Sequence, residues 1–202
     1  LSEDGKILGT YFVKNRSNVN YSEISPNVIN ALIATEDERF YEHSGIDGRG
    51  TIRAVVKLGT DGGASTITQQ LAKLLFHGEG SKNIVMRILQ KVKEWVIAVR
   101  LERQYTKQEI LAMYLNEVDF LYNAVGIRSA AKIYFNKEPK NLTVEESAVL
   151  VGMLKNPSLY NPKKKEKNAF NRRNTVLGQM VKGGFITEAE KAKLSKDSIH
   201  LN

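Results

Sequence analysis

A threonine followed three residues later by a glutamate marks three predicted helix starts, and these limit the folds open to this chain. They stand at Thr106 and Glu109, at Thr143 and Glu146, and at Thr187 and Glu190. In such a capping box the threonine hydroxyl accepts a hydrogen bond from the backbone amide of the third helical residue. The glutamate carboxylate accepts one from the backbone amide of the threonine. Ser25 before Pro26 is a further helix start, and Thr66 with Gln69 resembles another capping box. The chain is therefore predicted to be mainly helical.

Apolar residues at helical spacing follow these starts. The first helix is expected to run from Pro26 to Phe40 and to stop at Gly45. A long helix is expected from Ser81, with an apolar stripe of Ile84, Ile88, Val92, Trp95 and Val99. Later helices are predicted around Ile110 to Tyr114, Gly126 to Tyr134, Ala148 to Met153, Asn168 to Val181, and Ala192 to Leu194. No alternation of strands and helices and no Rossmann or P-loop pattern appears, so little β structure is expected.

Composition narrows the possible partners. The formal net charge of +8 favours nucleic acid, phospholipid headgroups or a phosphorylated substrate, or else a solvated basic surface. The absence of cysteine excludes disulfides and thiolate metal sites. No run of eighteen apolar residues predicts a membrane span. Because the chain starts at Leu1 rather than Met, we expect it to be part of a longer protein.

Glu36, Asp37 and Glu38 form a carboxylate cluster at the expected end of the first helix. The negative end of the helix dipole and the like charges nearby both disfavour ionisation. The pKa of Glu36 is therefore expected to rise toward the range of a general base. His43 could cap this helix or hydrogen-bond within such a site. From these residues alone, a solvated acidic helix end is the simpler interpretation.

The stretch from Gly62 to Thr66 leads into a predicted helix start. Free backbone amides and the helix dipole attract anions at such a start. Neutral donors and one cation surround it: Ser65, Thr68, Gln69, Gln70 and Lys73. The segment could therefore cradle a diphosphate, but a capped helix after a flexible loop has the same pattern.

Arg87, Lys91, Glu94 and Glu102 share one side of the predicted long helix, away from its apolar stripe. Lys91 and Glu94 are close enough along the helix to form an ion pair. Such a pair is compatible with an ordinary surface contact. It is also compatible with a phosphate-binding lysine beside a second functional carboxylate, and spacing alone leaves both interpretations open.

In their order and spacing these segments resemble the peptidoglycan glycosyltransferases of family 51. Those enzymes polymerise the lipid-linked disaccharide lipid II, either alone or as the N-terminal module of class A penicillin-binding proteins. The resemblance covers roughly residues 1 to 195. Four motifs carry it: Glu36, Asp37, Phe40, His43 and Gly45; Gly63 and Ser65 to Gln70, followed by Lys73; Lys91 and Glu94; and Ile110 to Asn116. Two departures are Gln90, where the third motif has arginine, and Leu121, where glycine is common.

The resemblance implies a lysozyme-like, bilobal helical domain with a head and a smaller jaw that dips into the membrane surface. Residues 1–25 would be a lead-in or short hairpin, residues 26–202 the glycosyltransferase domain, and the jaw would lie roughly within residues 46–80. The implied catalytic residues are Glu36 and Glu94. The implied substrate-binding residues are Asp37, Phe40, His43, Ser65, Thr66, Gln69, Gln70, Lys73, Arg87, Lys91, Tyr114 and Asn116. No tightly bound cofactor is implied, although a divalent cation such as Mg²⁺ or Mn²⁺ could lie near Glu94.

In the implied reaction Glu36 removes a proton from the 4-hydroxyl of the acceptor N-acetylglucosamine, and the lipid diphosphate leaves with inversion. The family is sensitive to the phosphoglycolipid moenomycin. The implied partners are lipid II, the growing glycan, the membrane surface and proteins of the divisome or elongation machinery, with no nucleic acid. The implied location is the extracytoplasmic face of the cell membrane, with the parent protein anchored by a helix upstream of this chain.

Three other functions are compatible with parts of the sequence. A lysozyme-like hydrolase also uses two carboxylates, but it needs no diphosphate cradle at Ser65 to Lys73. A basic helical module could bind nucleic acid or membrane, although no recognition-helix or stacking series is visible. A degenerate, inactive relative would be explained by Gln90.

Overall fold

The computed structural model describes residues 17–50, 65–76 and 83–202. Eight α-helices lie within these residues: α1 (Pro26–Glu36), α2 (Ile67–Phe76), α3 (Ile84–Gln104), α4 (Lys107–Glu117), α5 (Ile127–Phe135), α6 (Val144–Leu154), α7 (Glu166–Lys182) and α8 (Glu188–Leu194). Short 3-10 turns lie at Tyr21–Glu23, Phe40–Glu42 and Pro139–Asn141. Over the described ranges, the only β pairing is an isolated bridge between Asp119 and Val125. The prediction of a mainly helical chain is confirmed.

The helix starts agree with the capping signals in the sequence. Both halves of the capping box form at Thr106, Thr143 and Thr187, which open α4, α6 and α8. Ser25 caps α1 through its side chain. Thr66 accepts the Gln69 amide at 3.1 Å, but the Gln69 side chain donates to the carbonyl of Gly45 instead of returning to Thr66. The local pattern therefore predicts the start of α2 but not the second half of its cap.

The first helix ends at Glu36, earlier than predicted. Asp37 has φ −159° and ψ 75°, and Phe40 belongs to the separate 3-10 turn. Gly45 does not stop α1 but passes directly against α3. It has φ +92°, and a Cβ there would lie 2.9 Å from the carbonyl carbon of Ala98. Glycine is required because only glycine tolerates both this φ and this close approach.

Two predicted starts need correction or fall outside the described residues. The long helix begins at Ile84, with Asn83 Oδ1 accepting the Val85 amide at 2.9 Å. The predicted start at Ser81 lies outside the described residues. The predicted hairpin in residues 1–25 lies mostly in residues 1–16, which are also outside, and Tyr21–Glu23 is a 3-10 turn.

The apolar stripe predicted for the long helix is not its buried face. Ile88 and Val92 are 60% and 46% exposed. Among the described side chains of α3, the buried ones are instead Glu94, Ala98 and Leu101. The prediction is wrong because the inward face of α3 carries a carboxylate, Glu94, and a small residue, Ala98. Periodicity of apolar residues cannot identify such a face.

The helices form two groups that meet at a cleft. α1 packs against α6 and α7, which also pack against each other. On the other side, α2 packs against α3 and α4. Glu36 is the last residue of α1, and it lines the cleft between the two helix groups. Most of the predicted jaw, residues 51–64 and 77–80, falls outside the described residues.

Apolar side chains remain exposed at the end of α2 and along α3 between Val85 and Val96. We call this set the exposed apolar face: Leu74, Leu75, Phe76, Val85, Met86, Ile88, Leu89, Val92 and Val96. Soluble proteins rarely expose so many large apolar residues together. Among the helices of the described ranges, none is both long enough and apolar enough to cross a bilayer.

Candidate active site

An open cleft of about 730 Å³ lies between the two helix groups. Side chains from α1, α2, α3, α4, α6 and α7 line it. Seven of the residues predicted for the site are among them: Glu36, Ser65, Gln69, Gln70, Lys73, Glu94 and Tyr114. Residues that are far apart in sequence therefore meet at one surface.

The two oxygens of the Glu36 carboxylate differ in their hydrogen bonding. Its Oε2 accepts a hydrogen bond from Gln70 Nε2 at 2.9 Å. Its Oε1 lies 4.0 Å from Arg172 Nη2, which is too long for a hydrogen bond. Among the contacts of the described residues, no hydrogen bond to Oε1 is present. This oxygen can therefore accept a proton without first losing a hydrogen bond.

Gln70 is itself held in one orientation by Tyr114. The Tyr114 hydroxyl donates to Gln70 Oε1 at 2.8 Å, which turns the amide NH₂ group toward Glu36. Burial, and then the negative charge of Glu36, raise the pKa of Tyr114 far above its ordinary value. The phenol thus stays protonated, and the Tyr114–Gln70–Glu36 chain keeps its direction at any physiological pH.

Ser65 and Glu94 also line the cleft, and Lys91 connects them from just outside it. Lys91 Nζ donates to Ser65 Oγ at 2.7 Å and to Glu94 Oε2 at 3.0 Å. Glu94 is buried and lines the cleft, so this pair is more than a solvated surface contact. Lys91 links the start of α2 to α3 and adds positive charge next to the cleft, which Lys73 lines.

Asp37 lies outside the cleft, although it follows Glu36 directly. Its carboxylate is 3.0 Å from His43 Nε2 and accepts the Ile67 amide at 3.0 Å. It therefore caps α2 rather than adding charge beside Glu36. The Gln69 amide is likewise taken, by Thr66 Oγ1. The backbone amides of Ile67 and Gln69 were expected to be free to bind an anion. This expectation is wrong, because both already donate to protein oxygens.

The other predicted binding residues contact protein groups. Phe40 is fully buried beneath Lys107 Nζ, which lies 4.2 Å from the ring centroid. Thr66 donates to the carbonyl of Gly45 at 2.7 Å. Asn116 holds the backbone of Val19, with Nδ2 donating to its carbonyl and Oδ1 accepting its amide. Phe40, His43, Thr66, Asn116 and the exposed Arg87 do not line the cleft, and their roles toward a substrate stay predictions.

Several cleft residues were not singled out as site residues from the sequence. They include Thr35, Asp119, Lys155 and Arg172. Arg172 lies on α7, and its Nε donates to the carbonyl of Gly152 at 3.4 Å. Its helix was predicted, but no local motif marks this arginine. The basic pair Arg172–Arg173 was the only available signal.

The surroundings of Glu94 do not fit a divalent cation. Glu94 is paired with the ammonium of Lys91, so a cation there would meet a like charge. Within the described residues, no group of three His, Cys, Asp or Glu side chains could hold a metal. A requirement for Mg²⁺ or Mn²⁺ stays a prediction, and chelation with EDTA would test it.

Comparisons with known proteins identify the family of this chain. A family model described as Transglycosylase matches residues 4–181. Penicillin-binding protein 1A of Escherichia coli (strain K12) is 40% identical over 205 residues, covering 100% of this chain and 24% of that protein. Penicillin-binding protein 1F of Bacillus subtilis (strain 168) is 42% identical over 194 residues, covering 94% of this chain and 26% of that protein. The chain thus spans about a quarter of these curated relatives.

A solved structure is similar across nearly the whole chain. It is the crystal structure of penicillin-binding protein 1A from Haemophilus influenzae, with 25% sequence identity and a TM-score of 0.57. The match covers 98% of this chain and 20% of that one. Together with the helical architecture, this confirms the predicted lysozyme-like helical fold.

Proposed function

The chain belongs to the transglycosylase family and is a peptidoglycan glycosyltransferase domain, and we propose that it polymerises lipid II into β-1,4-linked glycan with Glu36 as general base. The observation that carries this proposal is the state of the Glu36 carboxylate. One oxygen is fixed by Gln70, and the other has no hydrogen bond among the described residues. A general base needs such an oriented oxygen with a free lone pair.

In the proposed step Glu36 Oε1 takes the proton of the acceptor 4-hydroxyl. The acceptor oxygen forms a bond to the anomeric carbon of the growing chain. The bond from that carbon to the lipid diphosphate breaks, and the diphosphate leaves with its electron pair. Attack from the face opposite the leaving group inverts the anomeric carbon and gives a β-1,4 linkage.

The leaving diphosphate needs positive charge, and cleft side chains can supply it. Lys73 lines the cleft, and Lys91 adjoins it through Ser65 and Glu94. Cations fixed in a desolvated cleft stabilise developing negative charge more than solvated ones. Because protein oxygens occupy the Ile67 and Gln69 amides at the start of α2, we assign this role to side chains. Glu94 would hold Lys91 in place.

The membrane surface is the second proposed partner. A lipid-linked substrate enters from a bilayer, so the cleft must approach one. The exposed apolar face lies on α2 and α3, the two helices that also carry Lys73 and Lys91. Apolar side chains beside cations suit the boundary of an anionic membrane. We therefore propose action at the extracytoplasmic face of the cell membrane, with an anchor in the parent protein.

A polymerisation assay with labelled lipid II tests the function. We expect glycan strands from the wild-type domain and none with moenomycin. Glu36→Gln should lower the rate by about 10³-fold, because the general base is lost, while the circular dichroism spectrum stays unchanged. Glu94→Gln, which only loosens Lys91, should lower it by about tenfold.

Other products would contradict the proposal. Release of soluble muropeptides from undecorated peptidoglycan would indicate a hydrolase. Salt-sensitive duplex binding without polymerisation would indicate a nucleic-acid module. Normal polymer from Glu36→Gln would exclude Glu36 as the base.

A further inference from the structure

We propose that Arg172 is a positioning residue for Glu36, and that Gly152 makes the room that this arginine needs. The inference rests on the proposed function, because it concerns the oxygen that takes the proton. Arg172 and Glu36 are 136 positions apart in sequence, and they meet only where α7 crosses the end of α1.

Arg172 faces the oxygen of Glu36 that Gln70 does not hold. Gln70 Nε2 binds Oε2 at 2.9 Å, whereas Arg172 Nη2 lies 4.0 Å from Oε1. The guanidinium is thus close enough to attract this oxygen but does not occupy it with a hydrogen bond. Both side chains are mostly shielded, with 13% and 17% exposed, so water screens the attraction only weakly.

Arg172 is held in place from three directions. Its Nε donates to the carbonyl of Gly152 on α6 at 3.4 Å. Its guanidinium carbon lies 5.7 Å from the centroid of the Tyr160 ring, within cation–π range. Glu36 attracts its far end. A side chain restrained in this way can keep the free oxygen of Glu36 aimed into the cleft.

Gly152 sets how closely the arginine can pack. An ideal Cβ on Gly152 would lie 3.1 Å from Arg172 Cγ, so an alanine there would shift the arginine by a few tenths of an ångström. The charge of Arg172 would remain, and only its position would change. On α7, a Cβ added to Gly178 would meet only Lys191 Cε, at 4.0 Å. Gly178→Ala is therefore a matched control.

The neighbouring Arg173 does not share this role. Its guanidinium donates to Asn174 Oδ1 and to the carbonyls of Ser195 and Asp197. It is buried against the C-terminal segment and does not line the cleft. Of two adjacent arginines, one faces the candidate base and the other fastens the end of the chain.

The first test measures initial polymerisation rates over a range of lipid II concentrations. Arg172→Gln should lower kcat by about 10²-fold, because the base is misplaced, while KM changes by less than about threefold. Arg172→Lys, which keeps the charge, should recover about tenfold of that loss. Arg100→Gln, on an exposed arginine of α3, should behave as wild type.

The second test compares the two glycines. Gly152→Ala should lower kcat by about tenfold, and Gly178→Ala should leave it unchanged. Equal kcat for wild type, Arg172→Gln and Gly152→Ala would overturn the proposal. So would a rise in KM alone, which would make Arg172 a substrate ligand. A wild-type domain that does not polymerise lipid II would overturn the proposed function, and this inference with it.

Discussion

α6 and the first half of α3 are both rich in apolar residues, but they end in opposite environments. In α6 every residue from Ser147 to Met153 is buried, between α1 and α7. In α3 the apolar residues from Val85 to Val92 are exposed. Apolar content alone therefore does not assign a helix to the core. A neighbour must cover it, and for α3 we propose that the neighbour is a membrane.

The two walls of the cleft differ in the same way. The wall built from α1, α6 and α7 is supported by a closed core and carries Glu36 and Arg172. The wall built from α2 and α3 carries Glu94, which pairs with Lys91, and it adjoins the exposed apolar face. A rigid wall suits a base that must stay aligned. A wall next to lipid suits the binding of a lipid-linked diphosphate.

The largest expected difference between these regions is in stability. Leu150→Ala in α6 should lower the free energy of unfolding by about 2–5 kcal/mol, because it leaves a cavity in a fully packed site. Ile88→Ala in α3 should lower it by less than about 0.5 kcal/mol, because Ile88 is already exposed. Urea unfolding of both variants measures the difference. Similar losses would show that the first half of α3 packs in the core.

A smaller effect is expected on membrane binding. Ile88→Ser should weaken binding to vesicles of phosphatidylglycerol and phosphatidylethanolamine by about tenfold, because one apolar side chain no longer enters the bilayer. Leu159→Ser is the control, since Leu159 is 43% exposed but lies outside the exposed apolar face. Co-sedimentation measures both. Equal binding of the two variants would remove the proposed contact between α3 and lipid.

The smallest effect is expected in the turn that borders the cleft between α4 and α5. Leu121 has φ +66°, in the left-handed region, and it is followed by Tyr122 and Asn123 with φ +53° and +58°. Leu121→Gly should raise the free energy of unfolding by about 0.5 kcal/mol, because glycine adopts this conformation without strain.

Leu121→Ala is the matched control for this turn. It keeps the Cβ and should give no gain in thermal or urea unfolding. Polymerisation rates should not change for either variant, since Leu121 does not line the cleft. A loss of activity in Leu121→Gly would show that the turn influences the chemistry.

Much of the fold was predictable because its signals are local. A capping box places donor and acceptor within four residues, so Thr106, Thr143 and Thr187 mark helix starts without knowledge of the rest of the chain. The end of α1 was not predictable in this way. It depends on Asp37, which leaves the helix to cap α2 across the molecule.

The residues of the candidate site show the same distinction between local signals and long-range contacts. The sequence motifs brought forward Glu36, Gln70, Lys73 and Glu94, all of which line the cleft. They also brought forward Asp37 as a substrate-binding residue, although its carboxylate caps α2 and does not line the cleft. Periodicity also assigned the wrong inward face to α3, because the buried face carries Glu94.

The helical class, most helix starts and the residues of the family motifs follow from the amino-acid sequence. These depend on contacts between residues a few positions apart. The tertiary structure alone decided which oxygen of Glu36 is free, and which of two adjacent arginines faces it. Those outcomes depend on how α1, α2 and α7 pack. A one-residue step along a helix turns a side chain by about 100°, toward a different neighbour.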